Sequence, residues 1–268
     1  MLSSVFLTSI LVVTSPSTLS LNVQGSIEAT LVKAVPRDGA ALGAQVARLL
    51  GWEGDVARHI YRDDKLILAY EPGPELVALS YRGLKIKLTA YRHIGPDGIG
   101  RFYHDDGTLV EPALKRAPLT QYIQITEVPQ RGRGKRKHDG VDFKADVGTP
   151  ITLPFNATIQ RVNWNRRING NCVEATYPDG KRARFLHLHT VATNVKPGRR
   201  LTAGSELGTV GSTGRSGGPH LHYELLDKRG RVVDPLKHHG TYHPSIDPTQ
   251  MASFRTTVVN VRSLLRLR

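Results

Sequence analysis

Three short clusters hold the side chains of this chain that could do chemistry: His138-Asp139-Gly140-Val141-Asp142, His187-Leu188-His189 and His220-Leu221-His222. Together they take five of its eleven histidines. Imidazole nitrogens combined with a carboxylate oxygen suit Zn²⁺. Three protein ligands with an open fourth position make a catalytic metal site, whereas a closed structural site usually needs several thiolates; Cys172 is the only cysteine. Either HxH pair alone would say little, because in a strand both rings face one side and could equally meet solvent. His138 and Asp142 change that, and the imidazoles left over after three ligands could move a proton and stabilise an oxyanion. The turn-rich Gly211-Ser212-Thr213-Gly214-Arg215-Ser216-Gly217-Gly218-Pro219 stretch could bring backbone close to a metal or substrate. It lacks the lysine and the strand-to-helix setting of a phosphate-binding loop.

These clusters must sit on strands. Residues 141–143, 149–153, 157–164, 172–177, 183–188 and 207–210 are short apolar or alternating stretches separated by Gly, Asn, Pro and Asp, with a polar hairpin loop at Trp164 to Asn171. No convincing helix fits between them, so the spacing predicts an antiparallel β domain and not a βαβ unit. Upstream, Leu42, Val46, Leu49 and Leu50 share one helical face, with Gly51 placed to end the helix. Strands follow at 65–70, 76–81 and 84–91, and Arg101-Phe102-Tyr103, Asp106-Gly107 and Thr108-Leu109-Val110 read as a further hairpin. The weakly alternating, arginine-rich end from Met251 reads as a poorly fastened basic tail.

The chain has 268 residues, 37 Lys plus Arg against 23 Asp plus Glu, and a formal charge of +14. That field favours a polyanionic partner without choosing one. The densest run, Arg131-Gly132-Arg133-Gly134-Lys135-Arg136-Lys137, is a solvated loop or a polyanion contact. With no recognition helix, aromatic stacking ladder or RNA motif, nucleic acid is set aside. No apolar run is long enough to span a membrane. Residues 1–25 carry no charge, and Val5 to Val13 form a short apolar core, which reads as an export leader lacking its basic start, or else as a buried N-terminal strand.

At this point the chain resembles the lysostaphin/LytM-type zinc metallopeptidases that cleave peptide bridges of bacterial peptidoglycan. His138-Asp139-Gly140-Val141-Asp142-Phe143 with Gly148-Thr149-Pro150-Ile151 resembles the family's HxxxD segment and its trailing GTP. Thr213-Gly214-Arg215-Ser216, Gly218-Pro219-His220-Leu221-His222-Tyr223-Glu224 and Asp234-Pro235 resemble its TG…GPHLH segment. The match runs from about residue 134 to 237. It implies a Zn²⁺ ion on His138, Asp142 and His222, with His187 and His220 handling the attacking water and the oxyanion. Arg184-Phe185-Leu186-His187-Leu188 matches the family's aromatic-x-His-Leu strand and favours His187 over His189, both taken to share one strand face. Two departures stand out: Gly217, where relatives carry Thr and side-chain packing is lost, and the basic run, which replaces an Arg-x-His-Pro type segment and alters one wall of the cleft.

The upstream region resembles the domain preceding the peptidase in exported Gram-negative members, through Leu50-Gly51-Trp52, Leu76-Val77-Ala78-Leu79, Gly107-Thr108-Leu109 and the linker-like Arg116-Ala117-Pro118-Leu119. The resemblance therefore implies a mainly β protein. A leader or extension occupies 1–25, a small α+β domain 26–112, a basic linker 113–137, the peptidase β domain 138–240 and the tail 241–268. The function implied is zinc-dependent endopeptidase action on cross-links or stem peptides of peptidoglycan by a monomer in the periplasm or medium. The first domain is expected either to lie intramolecularly over the cleft or to tether the enzyme to the wall. The alternative, a non-catalytic wall-binding or regulatory LytM-like protein, requires a missing ligand, and none is missing.

Overall fold

The computed structural model describes residues 15–129 and 138–267. The chain divides into two compact units. One takes the described residues up to His93 with Phe102–Gly107 and those from Ile246 onward; the other takes Ile94–Arg101 and Thr108–Ser245. The first is α+β and the second almost wholly β, the fold class that the patterns predict.

The first unit holds β1 (Ser17–Asn22), α1 (Ile27–Ala34), α2 (Gly39–Glu53), the single turn α3 (Val56–His59), β2 (Lys65–Glu71), β3 (Glu75–Arg82), nearly all of β4 (Lys87–Ile94) and the end of its fifth strand, β5 (Gly100–Tyr103). The strands form one sheet in the order β1-β2-β3-β4-β5. Helix α1 starts where Ser26 Oγ accepts the Ala29 N–H at 3.0 Å, satisfying one otherwise orphaned donor. In α2, Leu42, Val46, Leu49 and Leu50 are buried as their spacing predicts. The helix runs through Gly51 and stops only at Gly54, whose N–H still bonds Leu50 O. Strand β1 is an edge strand paired with β2 from Ser17↔Tyr70 to Asn22↔Lys65. Cutting a leader at residues 20–25 would remove or sever it; Val5 to Val13 lie outside the described residues.

The second unit comprises β6 (Ala113–Leu114), β7 (Gln124–Glu127), β8 (Gly140–Lys144), β9 (Pro150–Thr152), β10 (Ala157–Val162), the one-turn α4 (Arg166–Asn169), β11 (Asn171–Thr176), β12 (Arg182–Val191), β13 (Arg200–Leu201), β14 (Glu206–Val210), β15 (His220–Leu226), α5 (Pro235–His239) and β16 (Thr241–Tyr242). Its main sheet runs β13-β10-β11-β12-β15-β8-β7, with β14 bridging β12 to β9. Val141, Phe143, Val173, Ala183, Phe185, Leu221, Tyr223 and Leu225 are buried to zero exposure. The residues alternating with them put Asp142, Glu174, Arg184, His220, His222 and Glu224 on the opposite face.

Three expectations need correction. Residues 113–129 are not a linker: Leu114, Leu119 and Ile125 are buried, and β7 extends the main sheet beside β8. The Glu111 carboxylate accepts the Ile125 N–H at 2.9 Å, which ties the segment down. The basic run itself lies outside the described residues. The hairpin after Tyr103 does not form either; a turn closes from Gly107 N–H to His104 O, but Thr108 then bridges Ser245.

The C-terminal segment is no tail. After a 3₁₀ turn at Pro248–Gln250, Met251–Leu264 form α6, with Phe254, Val258, Val261 and the following Leu265 buried in the first unit. The Phe254 ring stands edge-on to His93 and Tyr103 at 5.6 and 5.7 Å. Its truncation, Phe254→Ala, should therefore lower stability by about 3–5 kcal/mol through lost burial and a cavity. At 66 % exposed Val259, the same truncation should stay within about 0.5 kcal/mol. Urea denaturation of both variants checks this, and equal midpoints would restore the loosely held tail.

Candidate metal centre

Strand β15 brings His220, His222 and Glu224 to one face because Leu221, Tyr223 and Leu225 are buried on the other. Its antiparallel neighbour β8 sets His222 directly opposite Asp142 and Glu224 opposite Gly140. A Cβ on Gly140 would lie 2.9 Å from His222 Nε2, so the glycine leaves the ring its room. His138 sits just before β8, four residues ahead of Asp142. His138, Asp142 and His222 each offer a ligand atom, all within 4.8 Å of one another, and they are the one such group among the described residues.

The contacts assign the nitrogens. His222 Nδ1 lies 2.6 Å from Asp142 Oδ1, and His222 Nε2–H donates to Glu224 Oε1 at 3.1 Å. His138 Nδ1–H donates to Val128 O at 3.4 Å; its Nε2 is buried and 3.1 Å from Asp142 Oδ2, without hydrogen-bond geometry. A buried imidazole nitrogen without a hydrogen bond, aimed at a carboxylate that faces a second imidazole, fits a divalent cation shared among all three. Titration tells the same story. Burial would lower the His222 pKa, but its bonds to Asp142 and Glu224 outweigh this and push it up to about 9. Burial likewise opposes the charge of Asp142, yet the close His138 imidazole and the bond from His222 hold its carboxyl far below the usual range. His138 is raised in the same way, with burial opposed by its contact to Asp142. A proton thus occupies the position between carboxylate and imidazole that a cation would take.

His187 and His220 complete the cluster. Their rings lie 4.9 Å apart, and His187 is 6.1 Å from His222. His187 Nδ1–H donates to Thr213 O at 2.9 Å and His220 Nδ1–H to Gly218 O at 2.8 Å. A carbonyl only accepts, so each ring keeps Nε2 as its free lone-pair nitrogen. Burial, the largest influence on His187, pushes its pKa down despite the Thr213 bond.

His187 and His189 do not share a face. Strict alternation would send both to the side of Phe185, which is buried. Instead β12 changes partner, pairing with β15 through Leu186↔His222 and with β14 from Leu188↔Val210. His187 at this junction takes φ +65°, a conformation costing a non-glycine residue about 1–2 kcal/mol, and joins the cluster while His189 is exposed. Thr213 pins the irregularity: its Oγ1 donates to Leu188 O at 2.7 Å and accepts the Asn171 N–H at 2.9 Å. Gly170 has φ +66°, and any Cβ there would overlap Thr213, which explains the bare backbone. Around Gly217 a Cβ would meet nothing within 4 Å, so the missing side chain costs no packing.

Two residues escape the motif reading. Glu224 continues the i, i+2, i+4 series of His220 and His222, a signal visible in the alternation itself. Glu127 on β7 lies opposite Asp142, with Oε2 3.4 Å from His138 Nε2, and no spacing announces it.

Comparison with known proteins agrees with this geometry. Residues 136–235 match peptidase family M23. The chain is 32 % identical over 194 residues to peptidoglycan DD-endopeptidase ShyC of Vibrio cholerae, covering 68 % of this chain and 44 % of that one. It is 30 % identical over 231 residues to ShyA, also named a peptidoglycan DD-endopeptidase, of the same organism, covering 81 % and 52 %. The chain thus spans about half the length of these curated relatives. The catalytic domain of lysostaphin from Staphylococcus simulans is 31 % identical over 41 % of this chain and 85 % of that domain, at a TM-score of 0.36. The likeness to it rests on sequence. His138, Asp142, His187, His220 and His222 all fall within the matched segment, and residues 136–235 belong to peptidase family M23.

Proposed function

We propose that the protein is a zinc-dependent endopeptidase that hydrolyses peptide bonds in the cross-links or stem peptides of bacterial peptidoglycan. The observation that carries this reading is the convergence of His138, Asp142 and His222 beside two imidazoles whose Nδ1–H groups are tied to carbonyls. Zn²⁺ in such a set would act as a Lewis acid, polarising a carbonyl and making water nucleophilic near neutral pH. Asp142, His138 Nε2 and His222 Nδ1 would hold it.

The remaining steps belong to the chain's own groups. Nε2 of His187, kept neutral by burial, accepts a proton from the attacking water; having done so it can donate to the leaving amine. Nε2 of His220 stands on the same side to meet the oxyanion once it carries a proton. Peptidoglycan as substrate is supported by the names of the two Vibrio relatives and by the +14 charge, which would concentrate the enzyme on an acidic polymer. The same names support a location outside the cytoplasm, where that polymer lies. We assign the first unit the role of an intramolecular cover. Peptidoglycan digestion should then be faster for a 108–245 fragment than for the whole chain; a slower fragment would make the unit a tether.

Asp142→Ala should lose most of about one zinc per chain, whereas His187→Ala should keep the zinc and lose turnover about 10²-fold or more. His189→Ala should be normal, and the reverse pattern for the two histidines would exchange their roles. The metal also competes with the proton on His222. Below about 9 the metal-free ring is charged and binding must expel its proton, so apparent zinc affinity should climb about tenfold per pH unit from 6.5 to 8.5 and level off above 9. Affinity that stays flat across that range, measured by chelator competition, would rule out this coupling.

A further inference from the structure

A single transverse row of charged side chains crosses the sheet and ends on His222. The register places Arg161 opposite Glu174, Glu174 opposite Arg184 and Arg184 opposite Glu224, on strands β10, β11, β12 and β15 in turn. Each link is made. Arg161 grips Glu174 with two bonds at 3.1 and 3.0 Å, Arg184 Nε donates to Glu174 Oε2 at 2.7 Å, and Arg184 Nη1 to Glu224 Oε2 at 3.0 Å. The other oxygen of Glu224 accepts His222 Nε2–H at 3.1 Å. The outer end is capped where the Arg161 guanidinium lies 4.2 Å over the Trp164 ring.

We infer that Glu224, clamped by Arg184, is a positioning residue that sets how tightly the site holds its metal. The inference rests on the zinc reading given above. His222 has two nitrogens and only Nδ1 faces Asp142, so a ring turned over would present the wrong atom. Glu224 Oε1 prevents this by accepting from Nε2, which fixes the proton there and leaves the Nδ1 lone pair for the metal. A carboxylate polarises the ring more than a neutral acceptor does, making Nδ1 a stronger ligand. Glu224 can do so only if its own position and charge are fixed, and Arg184 provides both. The two arginines and two glutamates of the row carry no net charge between them, and Arg182 adds a further guanidinium 4.0 Å from Glu174, so Glu224 is negative locally on a face that is not. Glu174, with a side chain 5 % exposed, is the pivot, and Arg161, 42 % exposed, is the solvent end of the row.

The test is zinc affinity of the full-length protein by competition with a chromophoric chelator, together with the visible absorption of its Co²⁺ form. Glu224→Ala should weaken zinc by about 10–100-fold, the cost typical of losing an outer partner of a ligating histidine, and should shift the Co²⁺ bands. Glu224→Gln, whose amide oxygen still accepts, should fall between. Glu224→Ala strands the Arg184 guanidinium and endangers the fold, so a double variant, Glu224→Leu with Arg184→Met, removes both charges at similar volume. It should show the same loss of affinity as Glu224→Ala, although no charge is left unpaired. Arg161→Ala should change affinity by less than about threefold, because Arg184 still bonds both Glu174 and Glu224. If the double variant binds zinc within about twofold of the unaltered protein and its Co²⁺ spectrum is unchanged, the row is only structural and this inference falls while the zinc reading stands. No zinc uptake by the unaltered chain would overturn both.

Discussion

The site depends on the two-residue period of β15. Burial of Leu221, Tyr223 and Leu225 commits that strand to one register, because a slip by one residue would push His220, His222 and Glu224 into the core and those apolar groups into water. Once the register holds, pairing with β8 is forced to bring Asp142 opposite His222, and pairing with β12 brings Arg184 opposite Glu224. The hydrophobic side of the sheet thus places the polar side. Tyr223 reinforces the lock from below: its hydroxyl shares a hydrogen bond with Tyr177 at 3.0 Å and donates to His239 Nε2 at 3.0 Å, while His239 Nδ1–H is held by Arg116 O.

Against that regular framework His187 is a strained position, and it lies in the histidine cluster. His187 leaves the strand geometry at the junction where β12 passes from β15 to β14, and Thr213 holds both sides of the break through its side chain and its carbonyl. Conformations of this kind persist where surrounding bonds over-determine them. The Thr213-Gly214 pair therefore has a structural reason independent of any substrate contact: the threonine ties His187 to β11, and bare backbone at Gly170 and Gly214 lets the two loops touch.

Much of this was legible in the residue order, for definite reasons. His138 and Asp142 bracket a strand start, and the HLH triplet alternates, so their convergence needs only one pairing, between β8 and β15. Glu224 was equally accessible, since it extends the same series by one step, but the motif gives roles to its histidines alone. The bulge at His187 was not accessible: no glycine marks the position, and the turn arises from a change of pairing partner that only the assembled sheet specifies. Phe254, Val258, Val261 and Leu265 do follow helical spacing. Interleaved arginines, threonines and an exposed valine hide that stripe, and the partner that buries it, around His93 and Tyr103, lies far away in sequence. Residues 113–129 look like linker because their anchors, Glu111 to Ile125 and Pro118 to Thr152, are single tertiary bonds with no periodic trace.

The central claim is that the imidazole and carboxylate groups assembled on β8, β12 and β15 hydrolyse a peptide bond of peptidoglycan. The most direct measurement is mass spectrometry of the soluble fragments released from isolated peptidoglycan of known cross-link type by the zinc-loaded protein. The account predicts fragments carrying one new amine and one new carboxyl terminus at a peptide bond, absent when a chelator strips the metal. Intact cross-links after prolonged incubation with fully zinc-loaded protein, or release only by cleavage between sugars, would contradict it.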